Sequence, residues 1–214
     1  MLTLDTNVKG VVVYRPVGQM LPSQESRTRL VQTALRLFAS RGYHNTSIAD
    51  ILGESGCTRG VLYHHFPSKE ELGYAVIDEG LRLIVVQGIV THLQTNEHPI
   101  DRLSKALDAL PNVVKLGAVA VSATDLLVRM GSVHEGFRKR LEEGLEPTLD
   151  QVERLAHRGV VDGQIADSID PRQLAHVLIT MGAGIQHMSL LWHRELISQN
   201  ARRWTKDYLN SLRR

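Results

Sequence analysis

The chain has 214 residues, 43% of them hydrophobic, which is enough for one sizeable helical domain and a small additional module. Its formal net charge is only +2, so a histone-like protein is excluded, and any DNA contact must come from a local arrangement of charge. The single cysteine, Cys57, excludes an intramolecular disulfide framework and favours a reducing compartment. No apolar run reaches the roughly 18 residues of a membrane span, so we expect a cytoplasmic protein with no membrane partner.

The hydrophobic pattern of the sequence changes near residue 22. Residues 1–22 show no helical periodicity and are interrupted by prolines and glycines, which predicts a flexible N-terminal arm. From Ser23 the pattern predicts a helix, which Arg41 and Gly42 end, because a glycine directly after the last periodic residue is a common helix stop. Its apolar stripe at helical spacing consists of Leu30, Ala34, Leu37 and Phe38.

Two short helices with clear capping residues come next. Thr46 or Ser47 can cap the first of them, and Gly56 then turns the chain. Thr58 can cap the second, which runs through Phe66. Two short helices joined by a glycine-containing turn and packed on a preceding helix form a helix-turn-helix unit.

The rest of the chain also has a helical pattern. Ser68 and Glu71 have the spacing of a capping box, and they open a long helix whose apolar stripe reaches Leu93. Further helices are predicted at about 100–109, 112–131, 134–159, 171–193 and 198–213. No convincing strand pair is present, so the predicted fold class is all-α.

The second short helix has the composition of a DNA-reading helix. In a helix-turn-helix the second helix enters the major groove, and its N-terminal residues meet the base edges. Thr58 and Arg59 offer hydrogen-bond donors there, and Gly60 allows the backbone to approach the DNA closely. Side chains suited to phosphate contacts follow at Tyr63, His64 and Lys69.

The stretch from Arg29 to Leu72 resembles the DNA-binding domain of the TetR/AcrR family of transcriptional regulators. The motifs that carry the resemblance are FASRGY at 38–43, TSI at 46–48, GCTRG at 56–60 and LYHHF at 62–66 followed by SKE at 68–70. By this resemblance, the base-reading positions are Thr58, Arg59 and Gly60, and the phosphate contacts are Thr46, Ser47, Tyr63, His64 and Lys69. The resemblance covers about a fifth of the chain, and it implies a helix-turn-helix domain at 23–72 and a C-terminal helical ligand-binding and dimerisation domain at 73–214.

The resemblance also implies a homodimer, a pseudo-palindromic operator DNA and a small-molecule inducer that releases a repressor from that operator. The helices at 171–193 and 198–213 would form the dimer interface as a four-helix bundle with their symmetry mates. The apolar residues expected there are Leu174, Val177, Leu178, Met181, Ile185, Trp204, Tyr208 and Leu212, with Gly182 and Gly184 allowing close approach.

A ligand cavity is expected where mostly apolar helices carry a few polar groups, because sparse polar groups orient a bound small molecule. The candidate lining residues are Ser122, Asp125, Arg129, Met130, His134, Met181 and His187. Two alternatives stay open: Asp125 and Arg129 have the i, i+4 spacing of an intrahelical salt bridge, and the methionines could fill a core.

Two other functions were weighed against a ligand-released regulator. Cys57 lies beside the reading helix and could act as a redox or electrophile sensor, although simple packing also explains it. A helical enzyme is the second alternative, but the sequence contains no HExxH motif, no glycine-rich phosphate loop and no GxSxG motif. His64 and His65 are adjacent on a helix and point about 100° apart, so they suit one metal ion poorly. We therefore expect no catalytic residues, metal or cofactor.

Overall fold

A computed structural model describes residues 12–13, 22–109, 114–116, 119–121, 123–191 and 194–214. The helices are α1 (Pro22–Arg41), α2 (Ile48–Ser55), α3 (Arg59–His65), α4 (Lys69–Ile84), α5 (Thr91–Leu93), α6 (Pro99–Ala109), α7 (Ala123–Val133), α8 (Glu135–Val161), α9 (Pro171–Leu191) and α10 (Arg194–Ser211). A π-helical segment, Val85–Val90, separates α4 from α5. The predicted helical fold class is confirmed. None of the helices in the described ranges has the length and hydropathy that a bilayer crossing requires.

The chain forms two compact units. Unit 1 consists of Met1–Arg82 and Val113–Glu142, and unit 2 consists of Leu83–Asn112 and Glu143–Arg214. The domain limits predicted from the sequence are 1–22, 23–72 and 73–214. They were placed at the ends of the helix-turn-helix motif, whereas the two units are defined by contacts within the fold, so these limits stay a prediction.

The core of unit 1 is built on the stripe predicted for α1. Leu30, Ala34, Leu37 and Phe38 are at most 1% exposed. Ile51 of α2 and Leu62 of α3 are fully buried, and α2 and α3 both pack against α1. Burial of a leucine or isoleucine side chain stabilises the folded state by roughly 1.5–3 kcal/mol, so this core fixes the mutual orientation of the three helices.

The helix α7 belongs to the same unit and also packs against α1. Its buried residues include Leu126, Leu127 and Met130. A Cβ atom at Gly80 of α4 would lie 2.9 Å from Leu127 Cδ2, so the glycine permits close contact with α7. Unit 1 is therefore larger than a three-helix DNA-binding domain.

The structure corrects the prediction of a helix over 112–131, because α7 begins only at Ala123. The preceding residues form the strands β2 (Val114–Leu116) and β3 (Val119–Val121), which pair antiparallel. Part of the predicted flexible arm is also a strand: β1 (Val12–Val13) pairs in parallel with Val114 and Lys115. The physical reason is the high valine content, since β-branched side chains favour extended backbone. The remainder of the arm lies outside the described residues.

Unit 2 has its own hydrophobic core, formed by side chains of α5, α6, α8, α9 and α10. The core includes Leu174 and Leu178 of α9 and Leu212, which directly follows α10, none more than 6% exposed. These three residues were assigned to the dimer interface from the sequence, and that assignment is wrong because they pack inside the unit. Val177, with 43% exposure, and Trp204, with 61%, do lie at the surface.

Candidate nucleic-acid interface

The two short helices of unit 1 begin and end with well-formed caps. Ser47 is the N-cap of α2: its Oγ accepts a hydrogen bond from the Asp50 N–H at 3.1 Å, and its own N–H donates to the Asp50 carboxylate at 2.8 Å. Gly56 ends α2 with φ 67° in the left-handed region, and its N–H donates to the Leu52 carbonyl. Thr58 is the N-cap of α3, with its Oγ1 accepting from the Val61 N–H at 3.3 Å. These caps define where α2 ends and where α3 starts.

The N-terminus of α3 presents three consecutive exposed residues, Thr58, Arg59 and Gly60. A Cβ atom at Gly60 would meet only Thr58 Oγ1, at 4.0 Å, and Gly60 does not have a positive φ. Neither packing nor backbone conformation within the protein therefore requires glycine at this position. Its lack of a side chain leaves space on the outer side of the helix.

The remaining residues of α3 divide between the core and the surface. Leu62 is fully buried, and Phe66, which follows the helix, is 3% exposed. Tyr63 is 44% exposed and His64 is also exposed. Burial and the neighbouring His64 and Arg27 lower the pKa of His65 below its usual value. The helix is thus anchored on one side and offers polar groups on the other.

Thr46 does not lie where the sequence placed it. Its side chain is 0% exposed, and its Oγ1 donates a hydrogen bond to the Gly42 carbonyl at 2.9 Å. The residue satisfies a carbonyl group at the end of α1 and cannot reach a phosphate from this buried position. The prediction of a phosphate contact at Thr46 is wrong for this reason.

Lys69, at the start of α4, has a role that the sequence did not reveal. Its Nζ donates a hydrogen bond to the Tyr43 carbonyl at 2.6 Å and lies 4.3 Å from the centre of the Tyr43 ring. Burial lowers the pKa of Lys69 from its usual value. An ammonium group has three N–H donors, so donors remain for a phosphate oxygen after the bond to Tyr43.

Two arginines of α1 form ion pairs with acidic residues of α2. Arg36 and Arg41 form ion pairs with Glu54 at 2.5 and 3.1 Å, and Arg41 is also 3.7 Å from Asp50. These side chains are 29–50% exposed, so each pair contributes only about 0–1 kcal/mol. The pairs hold α1 against α2, and sequence reasoning missed them because the partners are 9 to 18 residues apart.

The predicted ligand-binding residues are divided between the two units. Asp125, Arg129, Met130 and His134 belong to unit 1, Met181 and His187 belong to unit 2, and Ser122 lies outside the described residues. Within unit 1, Arg129 forms the i, i+4 salt bridge to Asp125 at 2.9 Å and donates to the Ala39 carbonyl near the end of α1 at 2.5 Å. The salt-bridge alternative therefore describes this pair, and Arg129 additionally ties α7 to α1.

The other candidates have different surroundings. Met130 is 1% exposed in the core of unit 1, as expected for a core-filling methionine. The His134 ring lies 4.5 Å from that of Phe137, and its Nε2 is 3.7 Å from a Glu70 carboxylate oxygen. Met181 and His187 are half-buried in unit 2.

One groove lies within unit 1, between α1 and α4, with a volume of about 170 Å³. Its lining residues are Arg27, Thr28, Val31, Gln32, Ala75, Asp78, Glu79 and Arg82. None of the predicted ligand-binding residues is among them. Their role in ligand binding stays a prediction.

Cys57 is half-buried in the turn before α3. Its N–H donates to Ser55 Oγ at 3.2 Å, and its Sγ lies 3.9 Å from the Ser55 carbonyl oxygen. These contacts with Ser55 are consistent with a packing role of Cys57 in the turn between α2 and α3. Within the described ranges, no group of three or more histidine, cysteine or acidic side chains is arranged to hold a metal ion.

Two family models match the chain. Residues 30–76 match the model for bacterial regulatory proteins of the TetR family. Residues 123–205 match the model for the tetracyclin repressor-like C-terminal domain. The first match contains α2 and α3 with all of the predicted DNA-contacting residues.

Among curated proteins, the chain is 36% identical over 92 residues to the HTH-type transcriptional activator FasR of Mycolicibacterium smegmatis, covering 43% of this chain and 42% of FasR. It is 25% identical over 160 residues to the A-factor receptor protein of Streptomyces griseus, covering 75% of this chain and 53% of that protein. The matches thus span about half the length of these relatives. A crystal structure of a TetR transcriptional regulator from Chloroflexus aurantiacus has the same fold, with a TM-score of 0.77, 23% identity and coverage of 91% of this chain and 99% of that one.

Proposed function

The chain belongs to the TetR family of bacterial regulatory proteins, and on this basis we propose that it is a transcriptional regulator that binds a specific operator sequence through α3. The observation that carries the proposal is the exposed N-terminus of α3, where Thr58, Arg59 and Gly60 follow one another. Arginine forms two hydrogen bonds with guanine in the major groove, and a threonine hydroxyl can donate or accept. We assign these three residues to base reading.

The proposed phosphate contacts surround that helix start. Ser47, Tyr63 and His64 are exposed, and Lys69 keeps donors available beside Tyr43. Contacts with phosphates fix the position of a protein on the duplex without reading its sequence. Thr46 is left out of this set because its hydroxyl is buried.

We further propose that the protein acts as a homodimer through the outer sides of α9 and α10. Val177, Gly184 and Trp204 are exposed there, and the Trp204 ring stacks parallel to that of Tyr208 with centres 5.9 Å apart. Large exposed aromatic and aliphatic side chains at helical spacing are typical of a surface that another chain covers. A two-fold dimer requires a pseudo-palindromic operator whose half-sites are about 34 Å apart, or a multiple of that distance.

We propose that a small, mostly apolar molecule binds the helical region after residue 73 and releases a repressor from DNA. The name of the A-factor receptor describes a relative with a ligand, whereas FasR is named an activator, so the direction of regulation needs its own experiment. A hundredfold loss of operator affinity requires about 2.7 kcal/mol of coupling free energy, which lies within the range usual for allosteric proteins.

Selection of bound sequences from random DNA with the purified protein tests the proposed function. The expected result is enrichment of one inverted repeat. Binding without sequence enrichment, or no binding at low salt, would contradict it. The same DNA then allows candidate inducers to be screened by the release of labelled operator, and a reporter gene placed behind it shows whether the protein represses or activates.

A further inference from the structure

Three aromatic rings of unit 1 surround the ring of Phe137, which lies in the first turn of α8. Phe137 is 0% exposed, and its ring contacts those of Tyr43, Tyr74 and His134 at centre distances of 4.9, 5.2 and 4.5 Å. The planes of Phe137 and Tyr43 are perpendicular, at 90°, which is a favourable edge-to-face arrangement. This cluster joins α8 to α4 and to the connection between α1 and α2.

Glycine at position 73 permits this contact. A Cβ atom at Gly73 would lie 2.5 Å from Phe137 Cζ and 3.3 Å from Tyr43 Cε2. A separation of 2.5 Å is shorter than real Cβ contacts allow, so any side chain at position 73 would displace the ring of Phe137. The sequence of α4 therefore accommodates the cluster.

Tyr43 is also the residue that holds Lys69. The Lys69 ammonium donates to the Tyr43 carbonyl at 2.6 Å and lies 4.3 Å from the centre of its ring. Tyr43 thus contacts Phe137 and Lys69 at the same time. A lysine side chain has high rotamer entropy, of about 2 kcal/mol, and holding its ammonium in one place reduces the cost of a later phosphate contact.

From this arrangement we propose that Phe137 is a positioning residue for DNA binding, which acts through the ring of Tyr43 to place the Lys69 ammonium for a phosphate contact. The inference rests on the proposed function, because it assigns Lys69 to DNA. It goes beyond that function because Phe137, 68 positions away from Lys69 in the sequence, would affect one defined phosphate contact. Phe137 itself does not touch DNA in this proposal.

A positioning role of Phe137 predicts a change in the salt dependence of operator binding. Loss of one phosphate contact reduces the slope of log affinity against log salt concentration by about 0.9. Lys69→Ala should therefore reduce that slope by about one for each subunit bound. Phe137→Leu keeps an apolar side chain but removes the flat ring beside Tyr43, and it should reduce the slope by a similar amount and weaken operator binding roughly three- to tenfold.

The experiment measures operator binding by the wild type, Phe137→Leu, Lys69→Ala and the double variant at four salt concentrations. In the double variant we expect an affinity within about twofold of that of Lys69→Ala alone, because the contact is already absent. Leu155→Ala is the control: it removes a 2% exposed side chain from the core of unit 2, and it should leave the slope unchanged. Thermal unfolding of each variant shows that the measured protein is folded.

Several results would overturn the positioning role. One such result is an unchanged salt-dependence slope in folded Phe137→Leu. A gain in operator affinity of this variant, or additive losses of operator affinity in the double variant, would do the same. If Phe137→Leu does not fold, Tyr43→Leu is used in the same cycle with Lys69→Ala, with the same expectations. Failure of the proposed function looks different, because then the wild type itself would show no sequence-specific binding.

Discussion

Replacement of Gly60 by alanine separates DNA recognition from folding. Gly60 is exposed in the first turn of α3, does not have a positive φ, and a Cβ atom there would meet only Thr58 Oγ1, at 4.0 Å. The added methyl group therefore causes no clash inside the protein. It does occupy the space on the side of α3 that we assign to DNA.

The two expected effects have opposite signs. Alanine is more favourable than glycine in a helix by about 0.8–1 kcal/mol, and a gain of this size raises the unfolding midpoint by about 2–4 °C in a chain of this length. A methyl group that moves α3 away from the bases removes at least one base contact, which costs about 1–3 kcal/mol. This corresponds to a loss of operator affinity of about 5- to 150-fold.

Calorimetry and operator titration on the same protein sample measure both effects. Gly53→Ala is the matched control, since Gly53 lies in α2, is exposed, and has no atom within 4 Å of a Cβ position. Gly53→Ala should show the same gain in stability with little change in affinity. If Gly60→Ala binds operator as tightly as Gly53→Ala, then α3 does not approach DNA by its N-terminal turn.

Three further substitutions test other parts of the proposal. Arg59→Ala should cost about 1–3 kcal/mol of operator binding and relax specificity at one base pair of each half-site, and equal binding across a panel of mutated operators would exclude base reading by Arg59. Trp204→Glu should give a folded monomer by sedimentation, because the side chain is 61% exposed, and a dimer of unchanged affinity would exclude α10 from the interface. Cys57→Ser should bind operator and still respond to the inducing signal, whereas loss of the response alone would favour a thiol sensor.

The helix-turn-helix could be predicted from sequence because its determinants are local. Capping residues lie within four positions of the groups they bind, and Gly56 and Thr58 were identified on that basis. The stripe of α1 has one buried face, so its periodicity pointed to the core without ambiguity. Tyr43 and Phe137 are 94 positions apart in the sequence, and no sequence pattern indicated that their rings contact each other.

Two errors have a common physical origin. The helix α9 carries apolar residues on its exposed side, such as Val177, as well as on its buried side, and periodicity alone could not tell which side packs within the subunit. Leu174 and Leu178 therefore entered the predicted interface although they are core residues. In the same way, an apolar stretch of valines and alanines fitted a helix at 112–131, while the β-branched side chains favoured the strands β2 and β3.

DNA cleavage directed from α3 shows whether this helix lies in the major groove of the operator. In a Cys57→Ser background, His64→Cys gives a chain with a single thiol on the exposed side of α3, to which a DNA-cleaving iron chelate can be attached. With the selected operator, we expect two cleavage centres related by two-fold symmetry and separated by about one helical turn or a multiple of it, and no such pattern on scrambled DNA. Uniform cleavage of both DNAs, or protection without cleavage near the operator centres, would show that α3 does not lie in the major groove and does not read the operator.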